Sequence, residues 1–126
     1  MLRSLTVLIA DDNHLFRKTL CEFVESLGNI KVVGEALDGN QAIELAQKLH
    51  PDIVLTDVHM PKKNGFEASL EIKKMCPEIF LIIITLHDAP LYQSLAKDCL
   101  ADAFVSKHEM KELGKLILPL FSNARD

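Results

Sequence analysis

The run Ile79-Phe80-Leu81-Ile82-Ile83-Ile84-Thr85 decides the fold. It is apolar up to Thr85 without alternation, and it falls far short of a membrane span of about 20 residues. A continuous run of this kind reads as a strand covered on both faces, as in a parallel sheet. Four further short runs lie around it: Leu5–Ala10, Lys31–Ala36 and Asp52–Thr56 before it, and Ala103–Ser106 after it.

The intervening segments have helical spacing. Apolar residues recur mostly at three- and four-residue steps in Leu15, Leu20, Phe23, Val24 and Leu27, and again in Ala42, Ile43, Leu45, Ala46 and Leu49. Phe66, Leu70, Ile72 and Met75 form a third face, Leu91, Leu95 and Ala96 a fourth, and Met110, Leu113, Leu116 and Ile117 a fifth. Gly28-Asn29 ends the first helix, Asp38-Gly39 marks a turn, and Pro51 and Pro77 close the second and third helices. Pro119 is expected to limit the last one, because Leu118 before it is biased away from helical geometry.

Alternating βα units make an α/β fold with a parallel sheet and helices on both faces. Five such units are compatible with the flavodoxin-like (βα)5 strand order 2-1-3-4-5, which periodicity alone does not fix. The 126 residues fit one domain, expected over residues 1–121, with a polar tail or the start of a linker over 122–126.

Composition narrows the function. Hydrophobic residues are 48% and charged residues 25%, as in a folded soluble protein. The net charge is −4, and no Lys/Arg stripe is present, so this domain itself is not expected to contact nucleic acid. Arg17-Lys18, Lys62-Lys63 and Lys73-Lys74 read as solvated surface. Cys21, Cys76 and Cys99 read as reduced core or half-buried thiols. No membrane contact and a cytoplasmic location are expected.

In open parallel sheets, ligands bind beyond the carboxyl ends of the strands. Here strand one ends in Asp11-Asp12, strand three in Asp57, strand four in Thr85, and strand five, after Ser106, in Lys107. Three converging carboxylates would repel one another unless a hard divalent cation with oxygen ligands, such as Mg2+, relieved them. An adjacent ammonium and hydroxyl suit phosphoryl oxygens. The set fits phosphoryl transfer to a carboxylate nucleophile. Taken singly, each Asp reads as a turn former or cap, Lys107 as a surface lysine and Thr85 as a strand-end residue. Their joint placement, one polar group per strand end, outweighs that.

On these residues the chain resembles the response-regulator receiver family over nearly its whole length. The matching motifs are Leu8-Ile9-Ala10-Asp11-Asp12, Asp57-Val58-His59-Met60-Pro61-Lys62-Lys63-Asn64-Gly65, Thr85 after its Ile run, and Ala103-Phe104-Val105-Ser106-Lys107. The resemblance implies that Asp57 takes a phosphoryl group from a phosphohistidine on a sensor histidine kinase or histidine phosphotransfer protein. It implies Mg2+ bound directly by Asp12 and Asp57, mainly through water by Asp11, and by the backbone carbonyl of His59. Lys107 would contact the phosphoryl group and Asp57, Thr85 would swing in to the phosphoryl oxygen, and Phe104 would repack inward. The chain would be a switch rather than an enzyme, catalysing only its own phosphorylation and dephosphorylation, with a homodimer possible.

Leu86 stands where many receivers have a small residue and is expected to narrow access to the site. His59 and His87 would flank the acceptor. Lys107 is followed by His108 where many receivers have Pro. Thr85-Leu86-His87-Asp88 is similar to receivers whose output is a LuxR-type helix-turn-helix, which implies transcription control through an output domain absent from this chain. A stand-alone receiver acting by protein contact stays open.

Two other readings fit less well. A mononucleotide binder would place phosphate at Asp11-Asp12-Asn13, which repels it. A haloacid-dehalogenase-type phosphatase would carry a second Asp at position 59, where this chain has His.

Overall fold

The computed structural model of the protein describes residues 4–87 and 90–123. Five strands alternate with five helices: β1 (Leu5–Ala10), α1 (His14–Ser26), β2 (Ile30–Ala36), α2 (Gly39–Leu49), β3 (Ile53–Thr56), α3 (Gly65–Met75), β4 (Phe80–Thr85), α4 (Pro90–Asp98), β5 (Ala103–Ser106) and α5 (Lys111–Asn123). All pairings are parallel, in the order β2-β1-β3-β4-β5. The β1–β2 ladder shifts register between Val7 and Leu8.

The sheet separates two cores. Leu81 and Ile83 pack with Ala42, Ala46, Ala68 and Ile72, beneath α2 and α3. Ile82 and Ile84 pack on the opposite face with Leu20, Val24, Leu113 and Ile117, from α1 and α5. This is why the β4 run needs no polar alternation. Removing any of these buried isoleucines down to Ala would cost about 2–5 kcal/mol.

Local signals set the helix ends. Asn13 and Asp38 cap α1 and α2, their side chains accepting from the N–H groups of Phe16 and Gln41. Asn64 and Glu67 form a capping box on α3. His50 closes α2 in the left-handed conformation at φ 46°.

Four expectations need correction. α5 does not stop at Pro119 but carries it inside a 13-residue helix. A helix-interior proline costs about 3 kcal/mol; Leu113 and Ile117, both fully buried, each offset about 1.5–3 kcal/mol of that by holding the helix on the sheet. The helix therefore takes in Ser122 and Asn123 from the expected tail, while 124–126 lie outside the described residues.

Leu15 and Leu91, assigned to core faces, are 75% and 65% exposed. Both sit in the first turn of their helices, where the face has not yet turned against the sheet.

Arg17 and Lys73, read as solvated, are half-buried against backbone carbonyls and carboxylates. Arg17 reaches the Asp11 carbonyl oxygen and Glu35; Lys73 reaches the carbonyls of Pro77 and Ile79 and the Asp102 carboxylate. The three cysteines are free, and burial, with Glu35 adding, pushes the Cys21 thiol up to about 11.

Candidate functional site

The strand ends build the site through backbone hydrogen bonds that extend the ladders. The Asp11 N–H donates to Ala36 O at 3.0 Å and the Asp57 N–H to Ala10 O at 2.9 Å, so both carboxylates emerge at one sheet edge. The Lys107 N–H donates to Thr85 O at 2.8 Å, bringing the lysine to the same edge from β5. Gly65 lets the loop after Asp57 close on itself. A Cβ there would collide with the Asp57 carbonyl oxygen, and the Gly65 N–H instead donates to Val58 O at 2.8 Å.

Asp11, Asp12 and Asp57 each present a ligand atom within 4.8 Å of the others. Asp11 and Asp57 are buried and Asp12 is exposed. Lys107 Nζ donates to Asp11 Oδ2 at 2.8 Å and to Asp57 Oδ2 at 3.2 Å. Asp11 Oδ1 accepts from the Asn13 N–H and Asp57 Oδ1 from the Val58 N–H. Burial pushes the Asp57 carboxyl above its ordinary range; Lys107 opposes this, Asp11 reinforces it, and the Val58 N–H opposes it.

Three carboxylates against one ammonium leave a formal charge of −2 when all are ionised. All the free donors are oxygens. That set fits a hard divalent cation of the Mg2+ kind and would suit a soft metal poorly.

The acidic edge opens into a depression of about 280 Å³, whose wall includes Asp12, Asp57, His59, Thr85, Leu86, His87 and Lys107. Thr85 is buried, its Oγ1 accepting from the His87 N–H at 3.3 Å. Leu86 is 56% exposed at the mouth. The His59 and His87 rings meet edge to face with centroids 4.6 Å apart. Phe104 lies outside this depression; half-buried, it lines a neighbouring cavity of about 340 Å³ with Glu109, Glu112 and Leu116 of the α5 side. His108 uses its N–H, donating to Ser106 Oγ at 3.1 Å, a bond a proline there could not make.

The family model for the response regulator receiver domain matches residues 7–118. The chain belongs to this family. Among solved structures, the receiver is similar to a two-component response regulator of the LuxR family from Aurantimonas sp. SI85-9A1. That match has 26% identity and a TM-score of 0.88, covering 98% of this chain and 89% of the other. A DNA-binding response regulator of the LuxR family from Staphylococcus aureus matches at 27% identity and TM-score 0.85, with 92% of this chain and 98% of that one covered.

By sequence, the transcriptional regulatory protein DegU of Brevibacillus brevis is 34% identical over 86 residues, 68% of this chain and 36% of that protein. A protein-glutamate methylesterase/protein-glutamine glutaminase of Pyrococcus horikoshii is 42% identical over 84 residues, 67% of this chain and 23% of that protein. The chain thus spans about a quarter to a third of the length of these two relatives. No helix among the described residues of the receiver is long and apolar enough to cross a membrane.

Asp11, Asp12, Asp57, Thr85 and Lys107 are brought together as the motifs imply, with His59, Leu86 and His87 at the rim. The motifs do not mark three further neighbours as part of the site. The Phe16 ring faces Lys107 Nζ at 4.1 Å from its centroid. Arg17 holds the Asp11 carbonyl at 2.8 Å. Tyr92 Oη lies 3.0 Å from His59 Nε2. The only sequence trace of the first two is their place in the first turn and a half of α1, directly after the acidic pair.

Proposed function

We propose that Asp57 is the phosphoacceptor of this receiver. One carboxylate oxygen forms a bond to the phosphorus of a phosphohistidine on a sensor histidine kinase or phosphotransfer protein. The P–N bond breaks, and its electron pair stays on the imidazole. Mg2+, held by Asp12, Asp57 and the His59 carbonyl and through water by Asp11, would supply charge neutralisation at the phosphoryl oxygens.

Lys107 then moves from Asp57 to a phosphoryl oxygen. Thr85 donates its hydroxyl to another, giving up its bond to the His87 N–H. Phe104 turns inward as the β4 and β5 ends rearrange, and partners that bind this state better shift the equilibrium toward it. The observation that carries the reading is the position of Lys107 between the Asp11 and Asp57 carboxylates, at the base of an open depression.

The LuxR-family relatives support a role in transcription through an output domain, and the switch would act there through partner binding or dimerisation, in the cytoplasm. The chain itself catalyses only its own phosphorylation and dephosphorylation.

Intact mass after incubation with Mg2+ and phosphoramidate tests this. One added phosphoryl group is expected, absent in Asp57→Asn and absent without Mg2+. Failure with both phosphoramidate and a phosphorylated histidine kinase would leave a binding module that is not switched by phosphorylation.

A further inference from the structure

Lys107 Nζ has three close neighbours. Two are carboxylate oxygens, Asp11 Oδ2 at 2.8 Å and Asp57 Oδ2 at 3.2 Å; the third is the face of the Phe16 ring, 4.1 Å from its centroid. The lysine side chain is 6% exposed, so the ammonium meets the ring with little water to screen it.

Phe16 is placed by the same turn that carries the acidic pair. Asp11 Oδ1 accepts from the Asn13 N–H at 2.8 Å, Asn13 Oδ1 accepts from the Phe16 N–H at 2.9 Å, the Phe16 ring faces Lys107, and Lys107 returns to Asp11 Oδ2. This circuit closes on itself. It fixes the ring relative to Asp11 independently of Asp57.

We propose that Phe16 is a positioning residue for the phosphoacceptor reaction: its ring face holds the Lys107 ammonium at the depth where it can pass from Asp57 to an incoming phosphoryl oxygen. The inference rests on the reading of Asp57 as acceptor. A carboxylate binds an ammonium along defined lone-pair directions, so Lys107 must break one such bond as the phosphoryl group arrives. The attraction of a ring face is broad and survives a small pivot. Without it, the ammonium has only Asp11 to hold it and settles there, away from the new charge.

The rival account is that Phe16 only fills space in the core under α1, where it packs half-buried. Replacing Phe16 with 4-fluoro-, 3,5-difluoro- and 3,4,5-trifluorophenylalanine separates the two. Fluorination drains the negative face of the ring and barely changes its size. The phosphorylation rate with phosphoramidate and saturating Mg2+ is expected to fall stepwise, by up to about 30-fold across the series, the size of a desolvated cation–π contact, while loss of the same contact from the folded protein lowers the melting temperature by only a few degrees.

A readout independent of phosphorylation is the upfield ring-current shift of the Lys107 ε-methylene protons, expected in the wild type and lost in Phe16→Leu. Equal rates across the fluorinated series would overturn the proposal, as would a wild type with no such shift. A wild type showing the shift but taking no phosphoryl group from phosphoramidate or a phosphorylated kinase would overturn the acceptor reading, and this inference with it.

Discussion

Lys107 lies nearer to Asp11 than to Asp57: its ammonium is 2.8 Å from Asp11 Oδ2 and 3.2 Å from Asp57 Oδ2. The carboxylate that is not the proposed acceptor therefore has the stronger hold on the lysine. A divalent cation drawn to this edge must share Asp11 with it. Asp11→Asn is expected to weaken Mg2+ binding by about 10- to 100-fold, the range for a partner acting on the metal through water. Titration calorimetry checks this, and an unchanged affinity would remove Asp11 from the metal site.

Asp57 carries a stability consequence with a definite sign. Burial raises its carboxyl pKa above the usual 3.8, so the protonated form favours folding. That contribution is fully present below the unfolded value and is lost as pH rises through the raised one. Near neutral pH without metal, the ionised carboxylate costs stability that an amide would not. Asp57→Asn is expected to melt a few degrees higher than the wild type at about pH 7 in EDTA, with the gap closing on acidification toward about pH 4. A gap that widens toward acid would contradict the assigned direction.

At the opposite end of the sheet, Asp102 ties two elements together. Its Oδ2 accepts from Lys73 Nζ at 2.8 Å and from the Leu81 N–H at 2.8 Å. Asp102→Ala is expected to cost about 1–3 kcal/mol in urea denaturation at unchanged m-value, since it strips a partner from a buried backbone donor. Phosphorylation of the folded protein should be unaffected. A loss under about 0.5 kcal/mol would mean that water takes over both bonds.

Leu86, 56% exposed at the mouth of the depression, would narrow a donor's path to the proposed acceptor. Leu86→Ala is expected to raise the phosphorylation rate with phosphoramidate several-fold at unchanged Mg2+ affinity. A stopped-flow comparison with equal rates would show that Leu86 does not gate the site.

Much of this was legible in the sequence, because the fold writes itself in local signals. The unbroken Leu81–Ile84 run required cover on both sheet faces, and it is divided between the two cores. The polar groups at the strand ends converge because a parallel sheet puts like ends together. Contacts made through distance in the chain left no such trace. Nothing near Arg17 or Lys73 announces Glu35 or Asp102, so each cation read as surface. Pro119 misled for a related reason: local backbone chemistry argued for a stop, and tertiary burial of Leu113 and Ile117 overruled it.

The register shift in the β1–β2 ladder reaches as far as the acidic edge. Before it, Leu5 pairs with Ile30 and Val7 with Val32, all packed on the α1 side; after it, Leu8 pairs with Gly34 and Ala10 with Ala36, and Leu8, Ala10 and Ala36 pack on the α2 side. The extra residue, Val33, inverts the odd–even parity of β2. Glu35 thereby falls on the same side as Arg17, whose guanidinium it grips at 2.7 Å while Arg17 reaches the Asp11 carbonyl. A strand of strict two-residue rhythm would send that carboxylate into the apolar core instead. The spacing from Gly34 to Glu35 is therefore a constraint that substitution scanning would never detect. One residue inserted between them should turn Glu35 away from Arg17 and disturb the acidic edge, although every residue that touches it is still present, whereas deleting Val33 would keep Leu8 opposite Gly34 and Ile9 opposite Glu35.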